Sequence, residues 1–458
     1  MSANILDYKK ASQLSAKDST EIAAAERLVS RCDNRNLYVP ALGWMAYDGT
    51  RFARDHGNLL IKREAMEDAK VLWDLRGVPA HEQKDRIAMA KACSQRRGIE
   101  SAVSLAAALP GVSREYDLFD ADPWVLNTPS GVIDLKTGKL TAHSPSQLLT
   151  RIVGAPWIPG AAAPRWQQFL AQVLPDPEVR AYLQRFVGYC LTGLTDEQVL
   201  LFAWGGGANG KSVLFEVLLR LLGDYAQGAD PGLLTKARDI PNDIARLKGV
   251  RFVSLNETQQ GSRFDEAKLK QLTGGDTLTG RFNHGEFFDF QPKHKLAMRG
   301  NYKPAITGTD AGIWRRLHLV PFTVSIPPEE RDHRLLDKLL LELPGILQWS
   351  VAGCIEWRRM GLAPPAAITA ALEQYRQEAD VLGSFITEKC SQRRVAQVKA
   401  SFFQKAYFEY CRDMDEKPIP AKDLPAELQR RGYGYRRANN GRFYEGIELE
   451  QRSAWGDG

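Results

Sequence analysis

Val199-Leu200-Leu201-Phe202-Ala203-Trp204-Gly205-Gly206-Gly207-Ala208-Asn209-Gly210-Lys211-Ser212 is the stretch that decides how this chain reads. Its first six residues are all apolar and have the length of a buried strand. The next eight fit G-x-x-x-x-G-K-[ST] in full, and the apolar run Val213–Leu222, closed by Gly223, reads as a helix. Glycines let successive backbone N–H groups turn inward around phosphate oxygens, and a helix N-terminus adds its positive end. Lys211 can reach β- and γ-phosphates, and the Ser212 hydroxyl can ligate Mg²⁺. The pattern predicts a nucleotide site made by Gly205, Gly206, Gly207, Ala208, Asn209, Gly210, Lys211, Ser212 and Val213. A glycine loop that only turned the chain would not need Lys-Ser in register behind a strand.

Three features downstream extend the site. Val250–Leu255 is a second strand-like run, ending at Asn256-Glu257-Thr258. Glu257 at a strand's end is placed to activate water and, with Ser212, to stand beside the metal. Asn256 precedes it where an acid would give Mg²⁺ a further ligand. A third strand, Lys295–Gly300, ends at Asn301, an amide able to orient that water. Arg315 and Arg316 then stand just before the apolar run Leu317–Phe322. Arginine suits the charge that develops on a transferred phosphoryl group. Strand-like and helical runs alternate from Gln198 to Phe322, the pattern of an α/β domain.

The rest of the chain frames that domain. At 458 residues the length suggests about three domains. Charged residues at 25% and apolar ones at 44% exclude a disordered or collagen-like chain. With 61 basic and 55 acidic side chains the excess is +6, which permits a nucleic-acid partner without requiring one. The six cysteines are scattered, so neither a zinc site nor a disulfide framework is expected. No apolar run approaches the roughly 20 residues of a membrane span, and a cytoplasmic protein without a membrane partner is expected. Residues up to about 110 read as mostly helical, 120–141 as small strands, and Ala155–Pro164 as a linker.

Gly205–Ser212, Glu257, Leu269–Asp276, Asn301 and Trp314-Arg315-Arg316, in that order, closely resemble the superfamily 3 AAA+ helicases of the phage/plasmid primase–helicase family. That family is in turn similar to the poxvirus primase–helicase. Leu126–Leu135 and the run to Arg151 resemble the domain that precedes its ATPase. The resemblance implies an α/β P-loop AAA+ core and a homo-oligomeric ring, usually a hexamer, with ATP and Mg²⁺ between subunits. It implies 3′-to-5′ movement on single-stranded DNA, with Asn301 as sensor and Arg315 or Arg316 as the finger reaching a neighbour's ATP. About 40 residues precede the resembling stretch, so a helicase without its own primase is expected, with a separate primase or polymerase as partner and a bacterial host cytoplasm as setting. An origin-binding loader that does not unwind, or an RNA-directed ATPase, are the rival readings.

Two basic regions are candidates for DNA. Thr277–Phe282 and Phe287–Phe290 flank a polar tip and read as a hairpin. By the resemblance it projects into the ring channel, with Arg281 and His284 foremost and Lys268, Lys270 and Lys293 nearby. Near the C-terminus, helix-like stretches at Ala400–Cys411 and Leu424–Arg431 precede a hairpin carrying Arg436, Arg437 and Arg442. With Arg430 and Arg431 these make five arginines and no acid between Arg430 and Arg442, the signature of a winged-helix-like module. Asp117, Asp120 and Asp122 could pass for a metal cluster, but turn and cap roles suffice for them. The expected domains are 1–155 (helical plus short strands), 156–197 (linker and helical collar), 198–345 (ATPase), 346–380 (helical linker) and 381–458 (winged-helix-like).

Overall fold

The computed structural model describes residues 20–235, 241–256, 263–281, 286–306, 311–414, 416 and 418–450. Its centre is a five-stranded sheet built from β1 (Leu200–Trp204), β2 (Ala226–Ala229), β3 (Phe252–Leu255), β4 (Lys295–Gly300) and β5 (Leu317–Pro321). The order across the sheet is β5-β1-β4-β3-β2, and every neighbouring pair is parallel. Parallel strands are covered on both faces, which explains why β1 and β3 read as unbroken apolar runs rather than alternating ones. Pairing of Trp204 with Gly300 on one side and Pro321 on the other aligns the C-terminal ends of three strands. Gly205 and Asn301 therefore leave the sheet side by side.

Helices 21–32, 59–71, 83–94 and 96–106 pack around a small antiparallel sheet, 36–39, 43–47 and 52–54. A second antiparallel sheet follows at 125–128, 131–134 and 139–141, then helices 164–173 and 177–190. Leu126, Ile133, Trp166 and Tyr182 share one core with Leu201, Leu218 and Trp357. The expected boundary near residue 155 falls inside this core. Arg251, just before β3, is only 1% exposed, donates to the Val125 and Leu191 carbonyls, and lies 4.4 Å from the Tyr225 ring. A buried guanidinium held this way ties the preceding segment to the sheet.

Beyond the long helix Leu343–Met360, helix Ala366–Ala379 packs against the central domain, where Tyr375 meets Trp314 edge-on. The last unit runs helix 381–389, strand 390–399, helix 400–413, helix 424–430, strand 434–438 and strand 441–449. Strand 441–449 lies between the other two, and Phe385, Phe403, Tyr407, Leu428 and Ile447 form a core of their own. Strand Cys390–Lys399 has no counterpart in the sequence reading. Arg393 and Arg394 interrupt its apolar positions, and its register against 441–449 breaks between Gln392 and Gln397. No single helix among the described residues is long and apolar enough to cross a membrane.

Candidate nucleotide-binding site

The loop after β1 keeps its shape because two of its glycines have no room for a side chain. A Cβ on Gly205 (φ +155°) would run into the Phe322 carbonyl that follows β5. On Gly210 (φ +81°) it would lie 2.7 Å from Val173 and 2.9 Å from Phe169. Gly206 and Gly207 face open space, so the loop is pinned at its ends and open in its middle. Asn209, 3% exposed, bridges the Gly206 and Phe322 carbonyls, and the Ala208 carbonyl accepts from Ile326 N at 2.8 Å. Helix Lys211–Leu222 then starts at the loop's end, so its first turn faces the cleft.

That cleft, about 480 Å³, is lined by residues 207–213 together with Asn256, Arg299, Gly300 and Asn301. Lys211 is 6% exposed and folds back along the loop. Its Nζ donates to the Gly205 carbonyl at 2.6 Å, the Gly206 carbonyl at 2.9 Å and Asn301 Oδ1 at 3.1 Å. Asn301 in turn accepts from Trp204 Nε1 through its backbone carbonyl at 3.1 Å. The ammonium thus rests on acceptors that an anion entering the cleft would replace. Volume, glycine cradle and cation fit a nucleotide's phosphates. The metal side fits less fully. Its described groups are the exposed Ser212 and the amide of Asn256, and the described residues hold no cluster of three His, Cys, Asp or Glu able to bind a metal. Glu257 lies outside the described residues.

One residue at this site escaped the sequence reading. Arg299, on β4, donates to Asn256 Oδ1 from Nε at 3.1 Å and Nη2 at 2.8 Å, and to the Ser212 carbonyl from Nη1 at 3.1 Å. Partial burial lowers its pKa from the usual value. The signal was present: a charge at the one half-buried position of an otherwise buried strand, two residues before Asn301.

The paired arginines part company. Arg315 is exposed, whereas Arg316 is 9% exposed and turned inward, its Nη1 donating to the Gly312 carbonyl at 2.7 Å and its Nη2 to Gln198 Oε1 at 3.2 Å. The expectation that Arg316 could serve as the finger is therefore corrected: burial and internal bonds hold it in the fold. Both precede β5, and β5 runs parallel to β1 from Leu317 opposite Leu200. They stand at the opposite end of the strands from the glycine loop, roughly 16 Å away along five residues of strand.

The DNA candidates also divide. Strands Leu278–Arg281 and Phe287–Phe290 form the expected antiparallel hairpin, with Arg281 exposed and stacked 4.8 Å from the exposed Phe287 ring. His284, at the tip, lies outside the described residues. Lys268 and Lys270 sit on helix Glu266–Thr273 beside the hairpin, both half-buried. Lys293 is corrected: its Nζ donates to the Asp120 carbonyl at 2.5 Å, and burial lowers its pKa. It ties segments together rather than facing a ligand.

Near the C-terminus, acids lying just outside the Arg430–Arg442 stretch, and Asp380 far before it, reach three of the five arginines. Arg430 pairs with Glu427 at 3.2 Å, and Arg436 with Glu445 at 2.6 Å. Arg431 is held by Asp380 at 2.6 Å and Glu427 at 3.1 Å. Burial works against the Arg431 charge, but the two ion pairs outweigh it and raise its pKa. Arg431 is thus a structural clamp between Asp380 and helix 424–430, a third correction. Arg437 and Arg442 stay exposed and lie directly opposite each other in the hairpin register. The three aspartates set aside earlier have separate partners: Asp120 accepts from Thr150, Asp122 from Trp124 N, and Asp117 lies 3.4 Å from Lys248.

Fold and site define a mixed α/β protein with a parallel five-stranded sheet of P-loop type. Among its relatives are viral proteins named as putative helicases and putative primases. Residues 25–175 match the family model described as D5 N terminal like. The chain is 29% identical over 292 residues to "Putative helicase L207/L206" of Acanthamoeba polyphaga mimivirus, covering 58% of this chain and 30% of that protein. It is 24% identical over 343 residues to "Putative primase C962R" of African swine fever virus (strain Badajoz 1971 Vero-adapted), covering 68% and 35%. Among solved structures, the A form apo structure of the NrS-1 C terminal region covers 72% of this chain and 83% of its own, at 10% identity and a TM-score of 0.42. The chain spans about a third of the length of the two viral proteins. These matches bear out the primase–helicase resemblance drawn from the motifs. The two relatives come from eukaryotic viruses, so they lend nothing to the expected bacterial host.

Proposed function

We propose that this chain is the ATP-driven motor of a replicative DNA helicase, acting as a homo-oligomeric superfamily 3 AAA+ ring that moves 3′-to-5′ on single-stranded DNA. The observation that carries the reading is Lys211, held by the Gly205 and Gly206 carbonyls and Asn301 in a cleft closed by two side-chain-intolerant glycines. Nucleotide phosphates would displace those contacts and take the ammonium and the loop N–H groups. Mg²⁺, held at Ser212 and by phosphate oxygens, would supply charge neutralisation there. Asn301, already on Lys211, would then report whether the γ-phosphate is present. Glu257 is the proposed water-activating residue.

Arg315 is the finger in this reading, and its position supports a ring. It is exposed at the end of the strands away from the glycine loop, so in this reading the nucleotide it touches belongs to the next subunit. Arg281 at the hairpin grips the DNA backbone in the channel, with Lys268 and Lys270 nearby. The last unit is a winged-helix-like DNA-binding module, supported by its helix, strand, helix, helix, strand, strand order and by the opposed Arg437 and Arg442. Two like charges directly across a hairpin repel each other and gain from an anion between them. A replication site within the cell, and a separate primase or polymerase partner, belong to the same proposal. The test is nucleotide-dependent strand separation on a forked DNA that is lost in Lys211→Ala. ATP turnover without separation on either fork polarity would favour a loader, and turnover stimulated by RNA but not DNA an RNA-directed ATPase.

A further inference from the structure

The metal side of the cleft carries a cation where an acid would be expected. Asn256 ends β3, and its Oδ1 already accepts two hydrogen bonds from Arg299, while Arg299 Nη1 reaches around to the Ser212 carbonyl. The guanidinium therefore brackets the residue whose hydroxyl would meet the metal. Those bonds use three of its five N–H groups, and Arg299 lines the cleft, so two N–H groups remain for a ligand there. Asn256 is neutral, so it orients Arg299 without cancelling its charge. Among the described residues the carboxylate that acts on it is Glu216, itself bonded to Arg220 at 2.9 Å. An arginine held on a neutral acceptor beside a phosphate loop is pre-organised for an anion.

We propose that Arg299 is a phosphate-contacting residue of the nucleotide site, supplying in cis a positive charge on the metal side so that nucleotide binding depends only weakly on a divalent cation. The inference rests on the P-loop reading and adds to it a residue and a cation dependence. It also accounts for Asn256: an aspartate there would pair with Arg299 and return the phosphate charge to the metal.

The test is equilibrium binding of a fluorescent ADP analogue to the full chain, in Mg²⁺ and in EDTA, for wild type, Arg299→Gln, Arg299→Lys, Asn256→Asp and Lys211→Ala. Wild-type affinity should change by less than about 3-fold between the two conditions. Arg299→Gln should lose about 10-fold or more in EDTA and much less in Mg²⁺, as expected for one charge-assisted contact that the metal can replace. Arg299→Lys should recover most of the EDTA binding, and Asn256→Asp should resemble Arg299→Gln. A purely structural Arg299 would weaken binding equally in both conditions, which overturns the inference, as would a wild type that binds about 30-fold more weakly in EDTA. Loss of binding by Lys211→Ala in both conditions keeps the P-loop reading standing whatever Arg299 does. Unchanged binding by Lys211→Ala, or none by wild type, overturns that reading and this inference with it.

Discussion

Arg315→Ala and Arg316→Ala are adjacent substitutions for which the structure predicts opposite outcomes. Arg316 is 9% exposed and makes hydrogen bonds to the Gly312 carbonyl and Gln198 Oε1. Hydrogen bonds from a charged donor contribute about 1.5–3 kcal/mol each and are not additive, so its loss should cost about 3 kcal/mol. With a urea slope of about 2 kcal/mol per M, the unfolding midpoint of the central domain should fall by about 1.5 M. Arg315 is exposed, and its removal should change stability by less than about 0.5 kcal/mol. Hydrolysis should show the reverse order. Arg315→Ala should lose on the order of 10³-fold in turnover, the usual worth of an arginine finger. Because Arg315 and the glycine loop stand at opposite ends of neighbouring strands, Arg315→Ala and Lys211→Ala subunits should each be inactive alone. Mixed, they should recover measurable activity, since the intact loop of one meets the intact arginine of the other. Wild-type turnover by Arg315→Ala would refute the reasoning. So would silence from mixtures shown to co-assemble.

Gly210→Ala should abolish nucleotide binding while leaving the rest folded, because a Cβ at φ +81° meets Val173 and Phe169 and displaces the loop; titration with a fluorescent nucleotide checks it. Arg437→Ala with Arg442→Ala should lower DNA affinity and reduce the slope of log affinity against log salt by about 2, whereas an unchanged slope would remove the hairpin from the interface. His294 is buried and His318 half-buried with its ring against Tyr182, and desolvation lowers each to about 4 from an ordinary value near 6.5. Between those values the unfolded chain binds more protons than the folded one, so stability is fully present above about pH 6.5 and falls as pH drops towards 4. His318→Asn, which keeps a partner for Tyr182, should remove about half of that slope in urea titrations run across the range.

The sequence made the nucleotide loop legible because its chemistry is local. Gly205, Gly210, Lys211 and Ser212 act within eight consecutive residues, and neighbouring backbone geometry enforces the spacing. The parallel sheet was legible for a related reason, since strands covered on both faces leave continuous apolar runs. Where function depends on partners outside the stretch being read, composition misled. The stretch from Arg430 to Arg442 contains no acid, yet Asp380, Glu427 and Glu445 fold onto three of its arginines. Lys293 looked like a cation beside a hairpin until the Asp120 carbonyl, more than 170 residues earlier, was seen to hold it. Arg299 was passed over for the converse reason: a charge near the end of a strand reads as a solvent-facing residue, and it takes the register of β4 against β1 and β3 to bring it to Ser212 and Asn256.

The most direct measurement is unwinding of a forked DNA in the presence of ATP, comparing wild type with Lys211→Ala on forks carrying a single 3′ or 5′ tail. The account predicts separation by wild type on the 3′-tailed fork, and none by Lys211→Ala. ATP turnover with no strand separation on either fork, or separation that survives in Lys211→Ala, would contradict it.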